Sequence, residues 1–256
     1  MTEIHIAARQ GFSTEAQTYM RGRPDYPADI LPWLADDLGV VPGKLVVDLG
    51  AGTGKFTRML LQTGADIIAV EPVEAMRMQL TKSLSGVGTL AGNASAIPLK
   101  SASVDAVICA QSFHWFATHS ALREIHRILK PGAKLGLVWN VRDESLDWVE
   151  AMSRIITPYE GDVPRFYRGD WRKPFSGEYF TAPEQTVFAY QHVGTAEEVI
   201  LDRVLSISFI AALTTHEKSK VADQLRALIA SHPTLRGRDT IAFPYRTEAY
   251  RCTSLD

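Results

Sequence analysis

Cysteine is scarce in this chain: Cys109 and Cys252 are the two thiols among 256 residues. Two thiols so far apart in sequence build neither a disulfide framework nor the paired spacing of a structural metal site. Charge of one sign is also lacking. Lys and Arg number 27 against 29 Asp and Glu, a formal net charge of −2. That leaves no whole-protein basic field for nucleic acid or anionic membrane, only local patches. Long hydrophobic runs are missing too, since no uninterrupted apolar stretch reaches the roughly 18 residues of a membrane helix. Residues 1–10 hold Glu3, His5 and Arg9 where a secretory leader needs an apolar core. What is present is an ordinary share of core-forming residues, 46% hydrophobic against 22% charged, enough to offset the ordering entropy of a folded chain. The expectation is a soluble, reduced, cytoplasmic protein, a monomer or homodimer.

The apolar positions come in two rhythms. Residues 28–38 carry Ile30, Leu31, Leu34 and Leu38 at helical spacing, and Pro42-Gly43 then breaks the chain. Residues 44–48 and 66–71 are continuous apolar runs ending in Asp48 and Glu71, as expected for strands buried on both faces. A helix over 55–62 lies between them, and Pro72 suits the first turn of a second helix reaching about 84. Further strands are expected at 87–91, 104–109 and 133–140, with a helix over 117–129 that stops at Lys130-Pro131-Gly132. Strand and helix in alternation with short connections predict an α/β, Rossmann-like doubly wound sheet, mostly parallel. Beyond 141 the rhythm changes to a helix over 146–156, an aromatic and basic loop over 158–180, and a strand over 185–193. Two helices within 195–231 and a strand over 240–252 follow. The last two strands are expected to pair as a C-terminal antiparallel hairpin at the sheet edge, with helices inserted between them.

The loop Asp48-Leu49-Gly50-Ala51-Gly52-Thr53-Gly54 joins the first strand to its helix. Glycines let the backbone turn tightly and a ligand approach closely, and the helix start adds free amides. A phosphate-binding P-loop needs glycine where Leu49 stands and Ser or Thr where Phe56 stands. A dinucleotide fingerprint needs a third glycine where Lys55 or Thr57 stands. Both readings fail. Asp48 would repel a phosphate but suits an ammonium, and Glu71 can accept two ribose hydroxyls. An adenosine carrying an amino acid and no phosphate fits both acids, and S-adenosylmethionine is such a molecule.

With these residues in view, the sequence resembles the class I S-adenosylmethionine-dependent methyltransferases. The matches run in order: residues 46–57, Glu71, Gly92-Asn93-Ala94 before Ile97-Pro98-Leu99, Ser103-Val104-Asp105 at the fourth strand, and Leu129-Lys130-Pro131-Gly132 before the fifth. The resemblance implies that Gly50, Ala51 and Gly52 line the methionine part, Glu71 holds the ribose, and Asn93-Ala94 meets the adenine edge, with Asn93 standing where many members have Asp. The remaining cofactor-binding residues it suggests are Tyr19, Arg23, Asp48, Gly54, Pro72, Gln111, Phe113 and Trp115. Residues 19–27 and 112–116 also look like a subgroup containing trans-aconitate and cantharidin methyltransferases, whose acceptors are small acids or lipid-like molecules. The implied layout is one domain over 1–256, with a helical lid at 1–43, a cofactor core at 44–140 and substrate-side helices and closing strands at 141–256.

Methyl transfer is an in-line displacement in which positioning does much of the work, so no fixed triad is expected. A carboxylate or thiolate acceptor needs no base, whereas a neutral hydroxyl or amine does. His114 is the candidate base or acceptor-binding residue, with a structural loop histidine as the plain alternative. Trp115, Arg168 and Trp171 complete the candidate acceptor contacts; Arg168 and Trp171 belong to a basic aromatic cluster over 165–173 that is otherwise read as a solvated loop. His114, His119 and His126 gain no carboxylate or cysteine to complete a metal set, so no metal is expected. The favoured acceptor is a small carboxylate or amphiphilic metabolite. RNA or protein methylation stays open through the 165–173 cluster, as does a non-catalytic cofactor- or lipid-binding module.

Overall fold

Three apolar runs form the middle of the sheet in the computed structural model, which describes residues 22–256. They are β1 (Leu45–Leu49), β2 (Asp66–Val70) and β4 (Val104–Ala110). Short β3 (Gly88–Leu90) lies outside β2, while β5 (Leu129–Arg142), β7 (Ile241–Thr253) and β6 (Glu184–Gly194) extend the other side. The strand order is β3-β2-β1-β4-β5-β7-β6. The first five strands are parallel, and the last two form the antiparallel hairpin, β7 inserting between β5 and β6. The strand order reverses between β1 and β4, which leaves a crevice beyond their carboxyl ends, the place where such sheets receive ligands.

Successive residues of a strand face opposite ways, and both faces here are apolar. Val47, Leu49, Val107, Cys109, Leu137 and Trp139 pack on one side, under α4 (His119–Ile128). On the other, Val46, Ala106, Ile108 and Val138 meet α1 (Ile30–Asp36) and α2 (Lys55–Leu61). Helix α3 (Glu74–Ser83) starts two residues later than Pro72 suggests, with Val73 as its cap. The amphipathic α4 turns Ala121, Leu122, Ile125 and Ile128 inward, and the Thr118 hydroxyl caps it by accepting the Ala121 amide. Its end feeds straight into β5, so Lys130-Pro131-Gly132 belongs to the strand, with a register irregularity opposite Val104 and Ala106.

A second core lies beyond the strand ends, between α5 (Asp147–Ile156), the segment 197–211 and α6 (Thr215–Ser231). Of the two helices expected within 195–231, the second forms as α6 and the first is broken. It runs as a π-helical turn, Glu197–Asp202, then the short helices Arg203–Leu205 and Ser208–Ala211. The aromatic loop 158–180 folds into three single turns rather than lying in solvent. Its Trp171 is 1% exposed and packs against Trp139, Phe166 and Tyr250. Among the described residues no helix is long and apolar enough to cross a membrane.

Candidate functional site

A cleft of about 1300 Å³, open space at its mouth included, lies beyond the carboxyl ends of β1, β2 and β4. Its floor is the turn after β1, where Gly50 and Ala51 donate their amides to Val70 O (2.8 and 3.3 Å). Gly50 has φ +73°, and a Cβ there would stand 2.6 Å from that of Ser112. Only glycine allows this approach, and Ser112 seals it by donating its hydroxyl to Leu49 O at 2.8 Å.

Two buried carboxylates face the cleft. Glu71 Oε2 accepts the Gly52 amide (2.9 Å) and Oε1 the Val73 amide (2.8 Å). The side chain is thus fixed between two turns, with a lone pair left on each oxygen. Burial pushes its pKa up, against the pull of those two amides and Arg77. Asp48 Oδ2 accepts the Thr57 hydroxyl at 2.6 Å, while the buried Oδ1 has no hydrogen-bond partner. Burial, only partly countered by Thr57 and reinforced by the charge of Glu71, raises Asp48 to about 7. A buried carboxylate with an idle oxygen is costly unless a cation or donor meets it, which fits an ammonium-bearing ligand.

The cleft brings together most of the residues singled out from sequence. Arg23, Asp48, Gly50, Ala51, Gly52, Glu71, Pro72, Asn93, Ala94, Gln111 and Trp115 all line it. Asn93 Oδ1 accepts the Ser95 amide (2.9 Å), which presents residues 93–95 as a turn edge. Gln111 stands in the left-handed region (φ +55°), a costly conformation for a non-glycine residue. Its side chain reaches Asn140 O at 3.3 Å.

Several candidates fall elsewhere. Tyr19 lies outside the described residues. Gly54 caps α2 in the left-handed conformation; a Cβ there would meet Leu80 at 2.9 Å, so this glycine serves helix packing and does not line the cleft. Phe113 is fully buried beside Phe116 and Phe175. His114, next in the same single turn, points the other way and accepts the Trp139 indole N–H on Nδ1 at 3.0 Å. Burial first, then the charges of Arg165 and Arg23, lower its pKa to about 3. His114 is therefore neutral, its proton on Nε2 and its acceptor nitrogen engaged; it does not line the cleft. Trp171 is core, and Arg168 reaches from the surface to the buried Glu160 at 3.0 Å. The three histidines go to three partners: Trp139, Glu178 and Leu255 O. Among the described residues no group of three or more His, Cys, Asp or Glu could hold a metal ion.

Asn140 and Arg203 also line the cleft, and sequence reading singled out neither. Lys55 donates to Arg23 O (2.5 Å) and Asp25 Oδ1 (2.8 Å), and Asn140 Nδ2 to Asp25 O (2.8 Å). These bonds hold residues 23–26 over the cleft, with Tyr26 among its lining. Arg203 enters from the broken helical segment and also lines it.

Similarity to known proteins points the same way. The family described as "Methyltransferase domain" matches residues 47–137. A methyltransferase-like protein of Schizosaccharomyces pombe is 40% identical over 240 residues, covering 93% of each chain. Among solved structures, a type II methyltransferase from Anaeromyxobacter dehalogenans superposes with a TM-score of 0.61 at 21% identity, over 91% of this chain and 97% of that one. A geranyl diphosphate methyltransferase solved with S-adenosylmethionine gives a TM-score of 0.50 at 18% identity, over 89% and 85%. The last two are likenesses of fold alone.

Proposed function

The chain belongs to the S-adenosylmethionine-dependent methyltransferases of class I, and from that premise we propose that it methylates a small molecule, a carboxylate or an amphiphilic metabolite. The observation that carries the acceptor class is the neutral, engaged state of His114. Among the described residues no histidine lines the cleft, so the acceptor must attack without a histidine base. A carboxylate does so, because its oxygen already holds the lone pair that forms the new bond. The likeness of residues 19–27 and 112–116 to the trans-aconitate and cantharidin subgroup supports the same class. The proposed layout is a single domain whose residues 44–140 hold the cofactor and whose remainder covers the acceptor.

The side chains present suit that cofactor. The idle Oδ1 of Asp48 would meet the ammonium, the free lone pairs of Glu71 would accept the ribose hydroxyls, and Asn93 and Ala94 would lie against the adenine edge. Bound S-adenosylmethionine supplies a methyl carbon whose bond to sulfur breaks as the acceptor oxygen bonds to it, the electron pair staying on sulfur. Trp115 and Phe116 give the cleft an aromatic wall, a surface that attracts cationic groups. Residues 23–26, tied down by Lys55 and Asn140, exclude water from the reacting groups.

Titration calorimetry with S-adenosylhomocysteine tests the cofactor half, with binding expected and NADH inert. A screen over small carboxylates, phenols, thiols and lipids, read as S-adenosylhomocysteine released, tests the acceptor half. Turnover confined to phenols or amines would overturn the carboxylate reading.

A further inference from the structure

Arg203 lines the cleft, and two further guanidinium groups, Arg142 and Arg165, stand behind it outside the lining. Arg203 is 9% exposed. Its Nε donates to the Tyr245 hydroxyl at 3.1 Å, and its Nη1 has no hydrogen-bond partner among the described residues. Arg142, at the end of β5, and Arg165, from the loop after α5, are close enough to act on it and on each other. Burial and the charge of Arg203 lower Arg142, and burial and the charge of Arg142 hold Arg165 down to about 10. Their side chains are 14% and 19% exposed.

Among the described residues two carboxylates answer these three guanidinium groups, and neither closely. Glu160 stands 3.8 Å from Arg165 Nε and is engaged by Arg168 at 3.0 Å and by the Tyr167 hydroxyl. Glu144 stands 3.7 Å from Arg142, half exposed, and accepts the Ser153 hydroxyl at 2.6 Å. Arg23, from the segment over the cleft, adds its charge to that of Arg165 at His114. Buried cations in excess of their anions cost stability unless an incoming anion meets them. Guanidinium forks are suited to planar oxyanions.

Resting on the methyltransferase reading above, we propose that Arg203, backed by Arg142 and Arg165, docks a carboxylate or phosphate oxyanion of the acceptor. The docked group and the methylated group are different. A carboxylate neutralised by a guanidinium loses nucleophilicity, so the acceptor carries one anion for Arg203 and a second group turned toward the methyl. This selects di- or tricarboxylates, or phosphorylated acids, over monoanionic lipids. None of the three arginines belongs to the glycine-loop motifs. They come from a strand end, a loop and a broken helix.

Calorimetry on the full chain saturated with S-adenosylhomocysteine tests this, with three probes: tricarballylate, its uncharged trimethyl ester, and inorganic pyrophosphate. Wild type is expected to bind one charged probe and not the ester, and the stronger of the two charged probes identifies the oxyanion. Arg203→Met should weaken that probe at least about tenfold, since a charge-assisted bond is lost, with cofactor affinity changed less than about twofold. Arg203→Lys should recover part of the loss. Because the cation is in excess, Arg203→Met should melt at or above the wild-type temperature. Wild type binding neither charged probe, or the Met variant binding as well as wild type, would overturn the docking role. A clearly lower melting temperature would overturn it as well, making Arg203 a structural cation. Failure of wild type to bind S-adenosylhomocysteine would instead sink the underlying reading, and this one with it.

Discussion

The two ends of the cleft are built on different principles. The cofactor end is backbone and strand termini: the turn at residues 50–52, two acids closing β1 and β2, and amides that hold one of those acids in place. The end we propose for the acceptor is side chains drawn from distant places: Arg23, Asn140 and Arg203 line the cleft from before β1, from β5 and from the segment after β6. The first is a local arrangement that a shared chemistry can keep constant. The second depends on tertiary packing, so it is free to change with the acceptor.

The largest break in this comparison should come from the backbone of the cofactor end. Gly52 has φ +59°, and a Cβ there would enter the cleft with Met76 Sδ as its neighbour at 3.7 Å. Gly52→Val combines a strained conformation with occupied ligand space. Binding of S-adenosylhomocysteine by calorimetry should fall beyond detection, at least about 100-fold, an order consistent with roughly 3 kcal/mol lost. Unchanged affinity would remove that glycine from the site.

Glu71 tests the side-chain part of the same end. Glu71→Gln keeps one acceptor oxygen but replaces the other by a donor that opposes the Gly52 or Val73 amide. Cofactor affinity should drop about 10- to 100-fold, the range of one or two charge-assisted bonds. Stability, followed alongside by denaturant titration, should fall by about 1–3 kcal/mol, because one buried backbone amide then faces a donor.

This division also explains what could be read from sequence. The strands were legible because β1, β2 and β4 are largely buried on both faces and so carry apolar runs, residues 45–47, 67–70 and 106–110. Asp48 and Glu71 were legible because each interrupts such a run at its end. The reading of the 165–173 cluster as a solvated loop fits Tyr167, Arg168, Arg172 and Lys173, which are exposed, but not Phe166 and Trp171. Its arginines suggested solvent, whereas Trp171 and Phe166 pack on Trp139 and carry the loop inward. Gly54 looked like one more glycine of the loop, yet its contacts are Leu80 and Leu84. Arg203 had no signal at all: an arginine in a helical stretch reads as surface, and only the broken helix at 197–205 turns it into the cleft.

Acidity gives a finer test of the cofactor end. The folded-state pKa of Asp48 lies near 7, above its ordinary 3.8. Protonated Asp48 predominates below 7, and an ammonium ligand needs the ionised form. Affinity for S-adenosylhomocysteine should therefore hold above pH 7 and fall about tenfold between pH 8 and pH 6, one proton being displaced on binding. Asp48→Asn should bind more weakly at pH 8 and lose the slope. A slope unchanged in that variant would assign the proton to another group.

The smallest effect on function is expected where sequence pointed to chemistry and packing took over. His114 accepts the Trp139 indole N–H, so His114→Leu strands that buried donor and should cost about 1–3 kcal/mol of stability by denaturant titration. Cofactor affinity should change by less than about twofold, about 0.4 kcal/mol, and turnover of a carboxylate acceptor should keep the wild-type pH profile, since no step passes through the imidazole. His114→Gln, whose side-chain oxygen can accept the same N–H, should recover part of the stability. Loss of turnover without loss of stability would reverse the assignment. It would place the histidine among the reacting groups and make a base, and hence a neutral acceptor, the better reading of the cleft.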